Sequence, residues 1–279
     1  MTTRAARIEA HRNRPRRASR MTTPFRLGDH VRWNSEAGYV TGTIIAIHTA
    51  DFDYKGHRHR ASPDDPQYEI KSDRTDHIAA HREQGRRMTL PFYTIGHSNR
   101  TFDAFVGMLD AVDIALLADI RTMTRSRSNP QFNEATLPDA LAAADIAYEH
   151  IAELGGLRGK SRDVPGDVND FWTNPSFHRY ADYALSPAFR DGLDRLIAQG
   201  HAQRCAIMCS EAVWWRCHRR IVSDYLIARG ETVLHIMGPH RVEPAHLTAG
   251  AVIRPDGTIV YPDAGDDTTA PGATAPPDA

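Results

Sequence analysis

The sequence has no apolar run near the roughly 18 residues that a bilayer span requires, and no apolar stretch at its N-terminus that would serve as a secretory signal. A membrane is therefore not expected as a partner. Cysteine is scarce: Cys205, Cys209 and Cys217 are the only three, and they fall in one segment. An odd number so closely clustered is no disulfide framework. Free thiols suit a reducing compartment, so the cytoplasm is the expected location. Charge of one sign is also lacking. The 34 Lys and Arg against 35 Asp and Glu give a net charge of −1, which argues against a globally basic nucleic-acid binder. No internal repeat is evident.

What is present is a chain of 279 residues, 41% hydrophobic and 25% charged, long enough for two domains with a buried core. Residues 1–20 hold seven Arg against one acid, Glu9, and weakly resemble a transit peptide. Met21-Thr22-Thr23 repeats Met1-Thr2-Thr3, which makes Met21 an alternative start. Residues 262–279 are rich in Asp, Pro and Ala. Both ends read as disordered, a basic tail over 1–24 and an acidic one over 262–279.

Residues 25–81 read as a small all-β unit. Val31 and Trp33 alternate with polar neighbours after Gly28-Asp29, the run from Tyr39 to His48 is broken by Gly42, and Tyr68 and Ile70 alternate again. A polar loop is expected from Asp51 to Pro66. Short strands and one long loop suggest an SH3-like barrel. Residues 82–91 read as a linker. From 92 to 261, strand and helix patterns alternate. Apolar runs at 92–96, 114–120, 146–151, 206–209 and 232–237 read as strands, and 154–176 as a long loop. Helices are expected after Thr101, near 137–144, after Ser186-Pro187 and over 217–229, and Pro255-Asp256-Gly257 marks a turn between two short strands. This predicts an α/β domain, a mostly parallel sheet covered by helices.

In open α/β sheets ligands bind beyond the carboxyl ends of the strands. There the sequence places His97 and Ser98 after the first strand, Asp119 and Arg121 at the end of the second, and Cys209 and Glu211 after the fourth. Cys217-His218-Arg219 opens a helix, where the dipole favours an anion and a thiol beside His and Arg gains thiolate character. Cys209 or Cys217 is the candidate thiol, His97, His218 and Glu211 the proton handlers, and Ser98, Asp119, Arg121 and Arg219 the substrate binders. The same residues also admit core packing for Cys217 and a structural ion pair for Asp119 and Arg121. The phosphatase loop C-x5-R fails, because Trp215 stands where its Arg belongs and Arg216 comes one residue late. A metal reading is open: Cys209-x7-Cys217-His218, with His97 as a further ligand, offers soft donors. The spacing is not that of structural zinc sites, so no residue is assigned as a metal ligand. Glu153, before Gly155-Gly156, is a further candidate for the same edge. Trp214-Trp215 reads as core packing, with base stacking as the alternative. Tyr39, Tyr54 and Tyr68 with Lys55, Arg58 and Arg60 suggest a basic, aromatic surface on the β unit.

Gly-Asp-His-Val-Arg-Trp-Asn (28–34), Phe-Asp-Tyr-Lys-Gly-His-Arg-His (52–59) and Gln-Tyr-Glu-Ile-Lys-Ser-Asp (67–73) resemble the Tudor domain of hypervirulence-associated proteins. The resemblance implies a Tudor-like barrel, a class that binds peptides or nucleic acid. Thr-Ile-Gly-His-Ser (94–98), Asp119-Ile120-Arg121, Phe132-Asn133, Leu154-Gly155-Gly156, Met-Cys-Ser-Glu (208–211) and Cys-His-Arg (217–219) resemble the family called domain of unknown function 488, over residues 92–253. That resemblance supports the site's location and supplies no reaction. Thr122-Met123-Thr124 departs from the family pattern, where a Pro is expected soon after the Arg. The expected function is an anion- or nucleotide-type site built on a thiol, acting on a phosphorylated or nucleotide-like substrate. The alternatives are a non-catalytic nucleic-acid-associated module and a metal- or redox-sensing protein. No cofactor is specified.

Overall fold

The computed structural model describes residues 25–35, 38–82 and 89–263. The expected basic tail over 1–24, the acidic tail from 264, the linker at 83–88 and the side chain of Tyr39 lie outside the described residues. The chain divides into two compact units, Met1–Met88 and Thr89–Ala279.

In the first unit, β1 (His30–Ser35), β2 (Gly38–His48), β5 (Gln67–Ser72) and β6 (Ile78–Arg82) form an antiparallel sheet in the order β1-β2-β5-β6. The pairings do not close it into a barrel among the described residues. Alternation points Val31, Trp33, Ile44, Tyr68 and Ile70 inward, with Phe25 edge-on to Tyr68. Tyr68 is fully buried, so it belongs to the core and not to the expected aromatic surface. The bulge of β2 falls between Ile44 and Ala46, not at Gly42. Gly42 serves close approach instead, since a Cβ there would lie 2.3 Å from the Lys71 carbonyl oxygen. The expected 51–66 loop holds a hairpin of β3 (Phe52–Tyr54) and β4 (His57–His59). Lys55 and Gly56 turn it at φ 49° and 79°, as a two-residue type I′ turn requires.

The second unit carries a six-stranded mixed sheet. Its strands are β7 (Phe92–Gly96), β8 (Leu116–Asp119), β9 (Ala147–His150), β10 (Cys205–Cys209), β11 (Val233–Gly238) and β12 (Arg241–Pro244), in the order β12-β11-β7-β10-β8-β9. All pair in parallel except β12, an antiparallel edge strand. The fully buried runs Phe92–Gly96, Leu116–Asp119 and Cys205–Cys209 show both faces covered. One face carries Tyr93, Ile95, Leu117, Ala206, Met208 and Ile236 under α1 (Phe102–Asp110) and α2 (Leu137–Ala142). The other carries Phe92, Leu116, Ala118, Cys205, Ile207 and Val233 under α3 (Pro175–Ala184), α4 (Pro187–Ala202) and α5 (Arg219–Ala228). A short hairpin of β13 (Val252–Ile253) and β14 (Ile259–Val260) follows the expected turn.

Three elements differ from expectation, the first being β12, which lies outside the expected strands. The loop read over 154–176 already contains the start of α3, where Asn174 accepts from the Ser176 N–H and Pro175 is at the first turn. α5 begins at Arg219, not at Cys217, whose backbone is extended. The thiol therefore sits just outside the helix.

Candidate functional site

Register brings the expected residues to one edge. Cys209 pairs with Gly96, Met208 with Asp119, and Asp119 with His150, so β7, β10, β8 and β9 end together. Beyond them lies a cleft of about 320 Å³ lined by, among others, Arg121, Gly156, Cys209, Glu211, Cys217 and His218.

The first cluster is built on Arg121. Its Nε and Nη2 grip both oxygens of the fully buried Asp119 at 2.6 to 3.1 Å, and Nη2 also donates to the Phe132 carbonyl at 2.8 Å. Tyr148 donates to Asp119 Oδ2 at 2.8 Å. Asp119 thus spends its lone pairs on holding Arg121 and is not a lining residue. Arg121 Nη1 donates to His97 Nε2 at 3.2 Å, while His97 Nδ1 donates to the Ser98 carbonyl at 2.8 Å. Both His97 nitrogens are therefore engaged, and its ring stacks on Phe132 at 4.4 Å. Burial, with the Arg121 charge, pulls His97 down to about 4, so it is neutral at physiological pH. His97 is a support for Arg121, neither a proton handler in the cleft nor a ligand beside the cysteines. Four of the five Arg121 N–H groups have acceptors, leaving one on Nη1 at the cleft wall.

The second cluster is Cys209, Cys217 and His218. Cys209 lies on the sheet face that packs against α5, and the turn Trp214–Arg216 delivers Cys217 opposite it. His218 Nδ1 is 3.8 Å from Cys209 Sγ and 3.7 Å from Cys217 Sγ. Its Nε2 lies 3.0 Å from the Ile120 carbonyl oxygen. A carbonyl only accepts, so Nε2 carries a proton and Nδ1 is the atom turned towards both sulfurs. Arg219, 1% exposed, donates from Nε to Cys217 Sγ at 3.3 Å and from Nη2 to the Glu211 carbonyl at 2.5 Å. Among the described residues it forms no ion pair with a carboxylate. Burial pushes the Cys217 thiol up, but the hydrogen bond from Cys209 and the Arg219 charge outweigh this and bring it to about 6. Cys209, which keeps the pair's proton through that same bond and is itself buried, is pushed up to about 12. Cys205, at the far end of β10, is pushed up to about 12 by burial and takes no part.

The remaining candidates separate. Glu211 lines the cleft with an exposed side chain, and its carbonyl anchors Arg219. Ser98 has φ 48°, its N–H donates to the Ser210 carbonyl, and it does not line the cleft. Glu153 does not line the cleft, and its carbonyl accepts from Tyr183 and Arg158. Trp214 stacks on His235 at 4.4 Å, whereas Trp215 is 45% exposed. Thr122, where the family pattern was expected to differ, accepts from the Leu157 N–H and ties the two cleft-lining loops together. Three contributors escaped sequence reasoning: Tyr148, Arg216 and the start of α3, which lends Ser176 and Phe177 to the wall. Only the last had a signal, the Asn-Pro pair at 174–175.

The fold defines an α/β unit whose mixed, mostly parallel sheet has a cleft beyond the carboxyl ends of its strands. Residues 101–226 match the family described as domain of unknown function DUF488, and residues 28–85 match the TUDOR domain of hypervirulence associated proteins. Along the chain the TUDOR match comes first and the DUF488 match second. The DUF488 match takes in Asp119-Arg121, Gly155-Gly156 and the Cys209 and Cys217 segments, and begins after the Thr94–Ser98 motif. No curated protein and no solved structure matches the chain.

Proposed function

We propose that the α/β unit is an enzyme acting on a small phosphorylated or nucleotide-like molecule in the cleft, with Cys209, Cys217 and His218 as its reactive centre. The observation that carries this reading is the buried Arg219, whose anionic partner among the described residues is the Cys217 sulfur. A buried guanidinium without a counter-charge is costly, so the pairing favours a thiolate at the floor of a cleft. The spare Arg121 N–H and the exposed Arg216, which has no hydrogen-bond or ion-pair partner among the described residues, supply the anion's contacts. Reduced thiols at such a site suit the cytoplasm.

The test is a panel of nucleotides and phosphate monoesters offered to the reduced full-length protein, with binding and turnover measured. Arg216→Ala is expected to weaken binding about tenfold, the loss of one charge-assisted contact. A panel that is neither bound nor turned over would end the proposal.

A second, non-catalytic role is inferred for the N-terminal unit. Its likeness to an SH3-like barrel is part of that reading, and the β3–β4 hairpin favours it. There His48 stacks on Phe52 at 3.6 Å, Lys55 lies over the Tyr54 ring, and the Arg58 side chain is 74% exposed. A peptide or a nucleic-acid segment fits such an aromatic, basic edge.

A further inference from the structure

We propose that Cys209, Cys217 and His218 form a three-ligand site for a soft divalent cation, zinc above all, with the fourth coordination position open to the cleft. The proposal deepens the reading of the cleft as the working site and rests on it. It departs from what spacing suggested, because Cys-x7-Cys-His is not a structural zinc motif.

The distances make the case. One Nδ1 atom faces two sulfurs at 3.7 and 3.8 Å. A single ring nitrogen makes one hydrogen bond to sulfur well, not two at once. A zinc ion at about 2.3 Å from sulfur and about 2.0–2.1 Å from nitrogen, with tetrahedral angles, sets S and N about 3.6 Å apart. The two sulfurs and the nitrogen all lie within 4.8 Å of one another. The spacing therefore fits a shared cation between them.

The surroundings agree. A metal-bound histidine ordinarily donates its other ring N–H to a carbonyl or carboxylate, and His218 Nε2 does so to Ile120. Arg219 donates to Cys217 Sγ, the hydrogen bond that steadies a ligating thiolate. Gly156 leaves the Nδ1 side clear, since a Cβ there would lie 2.4 Å from that atom. Three protein ligands on a cleft wall is the pattern of a catalytic site, in which the open position takes water or an anionic group of the substrate.

The test is titration of the reduced, chelator-treated full-length protein with cobalt(II), followed by absorption, and with zinc, followed by elemental analysis. One ion per chain is expected, with thiolate-to-cobalt charge transfer and the visible bands of tetrahedral cobalt. Cys209→Ser and Cys217→Ser should each weaken binding at least tenfold, and Cys205→Ser should leave it unchanged. Circular dichroism checks that the variants fold, and the wild-type titration needs no variant at all. Absence of the charge-transfer band, or a band that survives both cysteine substitutions, would overturn the site. Cobalt uptake without nucleotide or phosphate-monoester binding would sustain the metal site and overturn the substrate reading. Nucleotide binding by protein that takes up no cobalt would do the reverse.

Discussion

Gly156 and His218 are fitted to each other. A methyl group at 156 would meet the imidazole at Nδ1, the atom that faces both cysteines. Gly156→Ala therefore must swing His218 away from the sulfurs. The expected outcome is a 10- to 100-fold loss of cobalt affinity, the usual consequence of disturbing a ligand's support, with an unchanged far-ultraviolet spectrum. Unaltered affinity would show that the ring has room to move. Asp119 is the corresponding test of the other cluster. Its carboxylate is fully buried and accepts from Arg121 and Tyr148. Asp119→Asn leaves a buried guanidinium without its counter-charge, and about 3–5 kcal/mol of stability should be lost. Urea unfolding reads this directly, and a loss under about 1 kcal/mol would mean that Arg121 finds water or another acceptor.

At the scale of elements, legibility followed burial. Strands covered on both faces, such as Phe92–Gly96 and Cys205–Cys209, are continuous apolar runs and stand out in the sequence. β12 did not, because an exposed edge strand of Arg-Val-Glu-Pro carries no apolar signature. The carboxyl-edge rule placed Arg121 and Cys209 correctly at the edge. It could not reveal that His97 and Asp119 face Arg121 while Cys209 faces Cys217, because that depends on which sheet face each strand end presents. Nor could spacing show that Cys209 and Cys217 meet, since a turn of variable shape joins them.

α5 offers a prediction of its own. Asp224 on this helix is buried, accepting from the Thr248 N–H at 2.8 Å and from the Tyr261 hydroxyl at 2.9 Å. Burial raises its carboxyl to about 6 from 3.8. The folded chain therefore retains a proton that the unfolded chain releases, and stability falls as pH rises from about 4 to 6. Asp224→Asn removes this dependence. Relative to wild type, the variant should gain up to about 3 kcal/mol between pH 4 and pH 7. Paired urea titrations at the two pH values check it, and a difference that stays constant would show that Asp224 is ionised without penalty.

Over the whole α/β unit, the buried histidines set the response to acid. His97 and His235 are 2% and 1% exposed, and burial, with nearby arginine charge, holds them at about 4 and about 3 against 6.5. Both are neutral in the fold, while the unfolded chain binds protons at both below about pH 6.5. Stability from these groups is thus present above that pH and lost as pH falls towards their folded values. Each costs about 1.4 kcal/mol per pH unit, so the two remove about 5 kcal/mol between pH 6.5 and 4.5. Asp224 acts in the opposite sense and returns about 2 kcal/mol over the lower part of that range. The net loss of about 3 kcal/mol is a large share of an ordinary domain's 5–15 kcal/mol. The histidines therefore win, and the unit should be acid-sensitive although a buried carboxyl favours it at low pH. His235→Asn separates the contributions. The asparagine amide lies where Nδ1 does and can still hydrogen-bond Thr94 Oγ1, the partner of His235 Nδ1 at 2.7 Å, and it carries no proton equilibrium in this range. The variant's stability should fall by only about 1 kcal/mol between pH 6.5 and 4.5, because His97, with a small share from Cys217 at about 6, then opposes Asp224. If it declines as steeply as wild type, His235 is protonated within the fold, and the assignment of its burial as the cause of acid sensitivity fails.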